Sequence, residues 1–314
     1  MSRVSNETHS LHTASTLTSS APASKATLTI ITNPSSEMPA QPAKDHWTQK
    51  AYFAAASFVP ELATKIVSWL DPQPNDHILD LGCGDGLLTA KIAAQSASVT
   101  GLDASTNLIE AARKSYDGSV SNVSWHVHDC RYIDDCADVE AGVYTKVFSN
   151  AALHWILRDV STRLAVLRGA FRALKSGGKL AFEMGGAGNV AEVHAALLAA
   201  VVHRGASIEE ARKASPWFFP SEELMKGMLE EVGFKVEKSE LEYRPTPLTT
   251  QKEGGLEGWT RLMGAQILEV LAEEQKREAA VREVCEILKT ILTHEEDGRM
   301  WLGYVRLRVL ARKP

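Results

Sequence analysis

Apolar and polar positions change period several times along this chain, and the changes mark its elements. From Trp47 to Leu70 the residues Ala51, Ala54, Ala55, Phe58, Leu62, Ile66 and Leu70 recur at three- and four-residue steps, the spacing of one helix face. Pro60 falls inside this stretch and predicts a kink or split, because it lacks the N–H an inner helical turn requires. Short apolar runs then alternate with helical patterns. Strands are predicted at 77–81, 98–102, 123–128, 145–149 and 179–184, and helices at 86–95, 105–116 and 159–175. Asp103-Ala104-Ser105 supplies a cap for the second helix, and Gly177-Gly178 ends the third. Strands alternating with helices predict a mostly parallel sheet covered on both faces.

After Gly188 the rhythm changes. Val190 to Val202 reads as an Ala-rich helix, and Ser221 to Val232 as a helix with a Ser cap, ending at Gly233. Phe234 to Leu241 reads as a strand and Thr260 to Leu292 as one long helical stretch. Tyr304 to Leu310 alternates, with Val305, Leu307 and Val309 on one side and Tyr304, Arg306 and Arg308 on the other. The first 45 residues follow no such period. They are rich in Ser, Thr, Ala and Pro, with no aromatic residue before Trp47, so disorder is expected there. A transit peptide is the alternative, which would make the protein mitochondrial rather than cytoplasmic. Only Arg3 and Lys25 precede residue 40, and Glu7 and Glu37 speak against it. Met38 lies near the start of the folded part and is a candidate alternative start.

The chemistry concentrates in Ile78-Leu79-Asp80-Leu81-Gly82-Cys83-Gly84-Asp85-Gly86, a buried-strand run that ends in an acid and opens into a glycine-rich turn. Glycines at 82, 84 and 86 permit positive φ and close ligand approach to bare backbone, and the helix behind them offers unpaired N–H groups. This spacing predicts a nucleotide-type ligand. It is not the dinucleotide pattern G-x-G-x-x-G, whose sixth place is Leu87 here. A second predicted strand, Val99-Thr100-Gly101-Leu102-Asp103, ends in a carboxylate able to take both hydroxyls of a ribose. Asp80, Asp103, Asp129 and Asn150 all fall at predicted strand C-termini, where open α/β sheets bind ligands, so one pocket is expected to gather them.

The D-x-G-x-G-x-G turn with the acid at 103 resembles the class I S-adenosylmethionine (SAM) dependent methyltransferases. Ser149-Asn150-Ala151-Ala152-Leu153-His154-Trp155 is similar to the corresponding loop of the trans-aconitate methyltransferase group of small-molecule enzymes. Phe182 to Asn189, Arg244-Pro245-Thr246-Pro247-Leu248 and Gly258-Trp259 strengthen that likeness. It covers 46–184 closely and 185–314 loosely. The implied fold is α/β and Rossmann-like: a seven-stranded, mostly parallel sheet with an antiparallel final strand, and a helical substrate lid inserted within 188–295. SAM is the implied cofactor. Gly82, Cys83, Gly84 and Gly86 would hold its methionine tail and Asp80 its ammonium. Asp103 would take the ribose, Ala104 and Leu108 would line the adenine, and Asp129 and Cys130 would meet its edge. Asn150, His154 and Trp155 would face the methyl group and the acceptor.

The acceptor decides how much else is needed. A carboxylic acid, with a pKa of about four, is ionised at pH 7 and requires no base, whereas a phenol near ten benefits from one. O-methylation of a carboxylic acid is the leading expectation, with His154 as a wall. Methylation of a phenol, an amine or a carrier-bound acyl acid, with His154 as base, is the alternative, and a non-catalytic SAM-binding module is a further one. For a polycarboxylic acceptor Arg244 and Arg261 are the candidate clamps and Trp217 and Trp259 the apolar walls.

Composition narrows the partners. The 314-residue chain is 44% hydrophobic with a net charge of −5, which gives no electrostatic footprint for nucleic acid. No apolar run nears the ~20 residues of a membrane span. The cysteines (Cys83, Cys130, Cys136, Cys285) lack C-x-x-C spacing, so neither a metal site nor a disulfide framework is expected. A cytoplasmic monomer or homodimer acting on a small-molecule acceptor is the resulting expectation.

Overall fold

A computed structural model describes residues 45–59, 61–251 and 253–314. The expectations for the N-terminal extension, Met38 and Pro60 lie outside the described residues. Helical periodicity from Trp47 to Leu70 becomes α1 (Gln49–Ala56), a 3-10 turn at Glu61–Ala63, and α2 (Thr64–Leu70). The predicted alternation then follows: β1 (His77–Leu81), α3 (Leu87–Ala93), β2 (Ser98–Asp103), α4 (Thr106–Tyr116), β3 (Val123–Val127), β4 (Tyr144–Asn150), α5 (Leu153–Ile156), α6 (Arg163–Ala173) and β5 (Leu174–Gly185). The later chain adds α7 (Ala191–Val202), α8 (Ile208–Lys213), α9 (Glu222–Val232), β6 (Lys235–Tyr243), a short pair β7 (Thr246–Pro247) and β8 (Trp301–Leu302), and β9 (Val305–Arg312).

Among the described residues, seven strands form one sheet in the order β3-β2-β1-β4-β5-β9-β6. The pairs from β3 through β5 are parallel, and β9 lies antiparallel between β5 and β6. Strand order therefore reverses beside β1, and a crevice opens at the C-terminal ends of β1 and β4. Each strand sends alternate residues to opposite faces. Leu79, Val147, Phe182 and Leu307 belong to the core under α6 and α9. Ile78, Phe148, Ala181 and Leu310 belong to the core under α2 and α3. A separate apolar core joins α7 to the helices after residue 254, through Val193, Leu197, Trp259, Val284 and Leu288. No helix among the described residues is long and apolar enough to cross a membrane.

Two predicted boundaries are corrected. The stretch 260–292 is not one helix but α10 (Gly255–Met263), α11 (Ala265–Leu268) and α12 (Glu274–Leu292). Gly264 marks the first break, where a Cβ would stand 2.9 Å from Leu197 of α7. At the second, Arg277 donates to the carbonyls of Leu271 and Ala272, which satisfies groups a turn of helix would otherwise bond. Gly177-Gly178 do not cap α6. They lie in β5, where pairing with β4 shifts register between Tyr144 and Lys146, and Gly177 takes φ +76°.

Candidate active site

β1 enters the site through its last turn. Gly82 and Cys83 both donate backbone N–H to the Leu102 carbonyl, at 2.8 and 3.0 Å, which folds the chain back across the end of β2. Gly82, Gly84 and Gly86 hold φ of +79°, +59° and +80°, a region L side chains rarely enter. A Cβ on Gly82 would stand 2.2 Å from that of Ala152. One on Gly84 would meet nothing within 4 Å.

A cleft at this end of the sheet encloses about 1110 Å³ of space free of protein atoms, its solvent-open mouth included. Gly82, Gly84, Asp103, Ala104, Leu108, Asp129, Cys130 and Asn150 line it, as do His154, Trp155, Trp217 and Trp259. A smaller adjoining recess shares Gly82, Gly84 and Asn150, and adds Asp80 and Cys83. Most of the residues singled out from sequence are thereby brought together. Gly86 is not among them: it packs under the turn, where a Cβ would stand 2.6 Å from the Trp125 ring.

The acidic groups are held in different states. Asp80 is buried and accepts from Thr89 Oγ1 at 2.7 Å. Burial, with a smaller push from the Asp103 charge, raises its pKa to about 7. Asp103 accepts from the backbone N–H of Gly84 at 2.9 Å and of Ser105 at 2.8 Å. Burial raises its carboxyl despite those two bonds. The cap of α4 is Ser105, whose hydroxyl accepts from Leu108 N–H. Asp129 is gripped on both oxygens by the Arg131 side chain, at 2.5–3.0 Å. Burial pushes that carboxyl up, but Arg131 outweighs it and holds it below the usual range. Burial also lifts the Cys83 and Cys130 thiols well above their ordinary value.

His154 is buried, and its Nδ1 accepts from the Gly185 N–H at 3.3 Å. Burial, and then the nearby Arg306, push its pKa well below the ordinary value, so the ring is neutral with its proton on Nε2. Trp155 packs edge-on to Trp47 and Trp217, and Trp217 stacks on Phe219.

Both arginines expected in the site are elsewhere. Arg244 ion-pairs with buried Glu183 at 3.1 Å and donates to the Leu62 carbonyl, behind the cavity wall. Arg261 bridges Glu257 of α10 and Glu278 of α12 on the helical surface. Arg306 of β9 lines the cavity instead, together with Tyr304, Tyr52 and Asn189. Its Nε donates to Glu183 Oε1 at 3.0 Å. The alternation of Tyr304, Arg306 and Arg308 was the available signal. It puts these three on one side of the strand without saying which way that side faces, and the structure leaves Arg306 and Arg308 only 4% and 1% exposed.

The cavity fits a cationic, hydroxyl-bearing ligand. Asn150 Oδ1 is buried without a hydrogen-bond partner, at the meeting of the two recesses. Asp80 and Asp103 add two carboxylates, and Gly84 leaves open space at the wall. This sheet, glycine turn and strand-end acids define a class I SAM-dependent methyltransferase. The comparisons agree. A profile described as "Methyltransferase domain" matches residues 78–178. An uncharacterized methyltransferase of Schizosaccharomyces pombe is 35% identical over 270 residues, 86% of this chain and 99% of that one. The chain belongs to this methyltransferase family, and SAM is its cofactor. A ubiquinone biosynthesis O-methyltransferase of Coxiella burnetii is 27% identical over 143 residues, 45% of this chain and 56% of that one. The crystal structure of a methyltransferase candidate from Bacillus halodurans superposes with a TM-score of 0.56 at 18% identity, over 80% of this chain and 97% of that one, a likeness of fold.

Proposed function

We propose that this chain O-methylates a small carboxylic acid of the trans-aconitate kind. The observation that carries the reading is the state of His154. Its Nδ1 lone pair is taken by the Gly185 N–H and its Nε2 carries the proton, so neither nitrogen can accept one from a substrate. With His154 unavailable as a base, the site suits an acceptor that is already ionised, and a carboxylate is.

SAM, when bound, supplies an electrophilic methyl group on a positively charged sulfur. Asp103 is placed to take ribose hydroxyls while the Gly84 and Ser105 N–H groups fix its carboxylate. Asp80 and Asn150 Oδ1 would hold the ammonium group, and the turn at Gly82, Cys83 and Gly84 the methionine tail. Asp129, Cys130, Ala104 and Leu108 would surround the adenine, with Asp129 sharing its oxygens with Arg131. Trp155, Trp217 and Trp259 wall the acceptor side and exclude water, leaving alignment as the main contribution of the protein. The helices between residues 188 and 295 act as the substrate lid in this reading.

The aromatic walls and the similarity to the ubiquinone-pathway enzyme favour a second reading, O-methylation of a phenol. Transfer of labelled methyl from SAM to a panel of acids, phenols and amines separates the two. Label in a base-labile ester supports the acid. Label confined to phenols or amines refutes it.

A further inference from the structure

Among the arginines around Glu183, Arg306 is the one that lines the cavity. Its Nε is bonded to Glu183, and its guanidinium lies 6.0 Å from the Tyr304 ring centroid. That bond uses one of five N–H groups. The two terminal nitrogens find no acceptor among the described residues, although the side chain is 5% exposed and lines the cavity.

The surrounding charge does not balance. Arg244, Arg306, Arg308 and Lys65 face Glu183, Glu240 and Glu242: four cations against three carboxylates. Arg308 and Lys65 share Glu240 and Glu242, and Arg244 is tied to Glu183 and a carbonyl through its terminal nitrogens, with its buried Nε left unpartnered. The surplus falls on Arg306, the member that opens on the cavity. A buried cation without a full partner is costly unless a ligand completes it. Beside it, Tyr304 Oη accepts from Trp259 Nε1 at 2.7 Å, which leaves its own hydrogen free to donate.

We propose that Arg306, assisted by Tyr304 Oη, anchors a carboxylate of the acceptor other than the one that is methylated. The inference rests on the reading of this chain as a carboxylate O-methyltransferase. The anchored group must keep its charge, because methylation would turn it into a neutral ester and leave Arg306 unpaired again. An oxygen gripped by guanidinium is also a weaker nucleophile. Glu183 is a positioning residue here: held by Arg244 and Arg308, it fixes Arg306 at the chamber wall.

The test pairs succinate, phenylsuccinate and adipate with their monomethyl esters, and adds 3-phenylpropionate as a monoacid. Wild-type enzyme should methylate diacids in preference to the monoacid, and the monoesters should inhibit competitively. In Arg306→Met the diacid KM should rise about 10- to 100-fold, the loss of one or two charge-assisted hydrogen bonds. Its kcat should change less, and SAM affinity by calorimetry should hold. Arg306→Lys should recover part of the loss. Tyr304→Phe should raise the same KM about 5- to 10-fold, and decides the matter if Arg306→Met does not fold. An unchanged diacid KM in a folded variant overturns the anchor, as does wild-type preference for the monoacid. If no acid is methylated, the carboxylate reading fails and the anchor is judged by binding alone. Diacid quenching of tryptophan fluorescence, with S-adenosylhomocysteine present, should then saturate in wild type and vanish in Arg306→Met. No saturation in wild type would overturn the anchor too.

Discussion

Asp80 offers the most direct test of how the glycine turn is charged. Its carboxyl has a pKa of about 7 in the folded protein, against 3.8 as its ordinary value. Between about pH 4 and pH 7 the folded apoprotein therefore binds a proton that the unfolded chain has released. Folding stability falls as pH rises through that window and levels off above about pH 7. At roughly 1.4 kcal/mol per pH unit the whole effect is at most about 4 kcal/mol. Asp80→Asn keeps the shape and an acceptor for Thr89 Oγ1 but cannot ionise. At pH 8 the cofactor-free variant should be more stable than wild type by up to about 4 kcal/mol, roughly 8–16 °C in Tm. Near pH 4 the two should coincide. Asp103, also raised by burial, keeps part of the slope in both proteins, so their difference isolates Asp80. The assay is thermal unfolding followed by circular dichroism from pH 4 to pH 9. Parallel curves for the two proteins would refute the argument. Cofactor binding should show the opposite sign. A cation beside Asp80 favours its ionised form, so SAM binding near pH 6.5 should release a proton and weaken in the variant. Calorimetry in buffers of different ionisation heat reads both.

Gly84→Ala should cost about 1–2 kcal/mol of stability from its positive φ alone and weaken SAM binding about tenfold or more, whereas Gly86→Ala, driven into Trp125, should cost about 2–5 kcal/mol. Melting curves with SAM titrations check the order, and the reverse order would count against the placement. His154 should titrate well below the ordinary imidazole range by nitrogen NMR. Because its folded pKa is depressed, it should lower stability as pH falls below about 6.5. Arg261→Ala should change stability by no more than about 1 kcal/mol and leave acceptor KM unaltered, since its partners Glu257 and Glu278 are surface residues. A raised KM would return Arg261 to the site.

Much of the first half of the chain was legible because its chemistry is local. Asp103 and Asn150 each end a strand, Asp80 is the last residue but one of its own, and parallel strands leave their C-termini on one edge of the sheet. Finding the acids at strand ends therefore found the pocket. The glycine turn was legible for the same reason, though Gly86 shows the limit of motif reading: three glycines share positive φ, yet one serves packing against Trp125. Helical period carried straight through Gly264 and the turn before α12, since apolar spacing cannot register a helix that changes direction.

The arginines show where local reading ends. Arg244 and Arg261 stood in stretches expected to form the lid, and a guanidinium there is as well suited to an ion pair as to a substrate. Glu183 and the pair Glu257 and Glu278 claim them. Arg306 could be assigned only after β9 was known to lie between β5 and β6, which sets it opposite Gly185 and Glu242 and beside Glu183. The same insertion gives the cavity its second sign of charge. Tyr52 lies within reach of both: burial raises its hydroxyl pKa most, Asp85 and Asp103 add to that, and Arg306 lowers it. A cleft with carboxylates from β1 and β2 and a guanidinium from β9 can hold a cationic cofactor and an anionic acceptor at once. If the proposed anchor holds, strand ends supply the cofactor's charges and strand order supplies the acceptor's, so specificity is encoded at longer range in the chain than cofactor binding is.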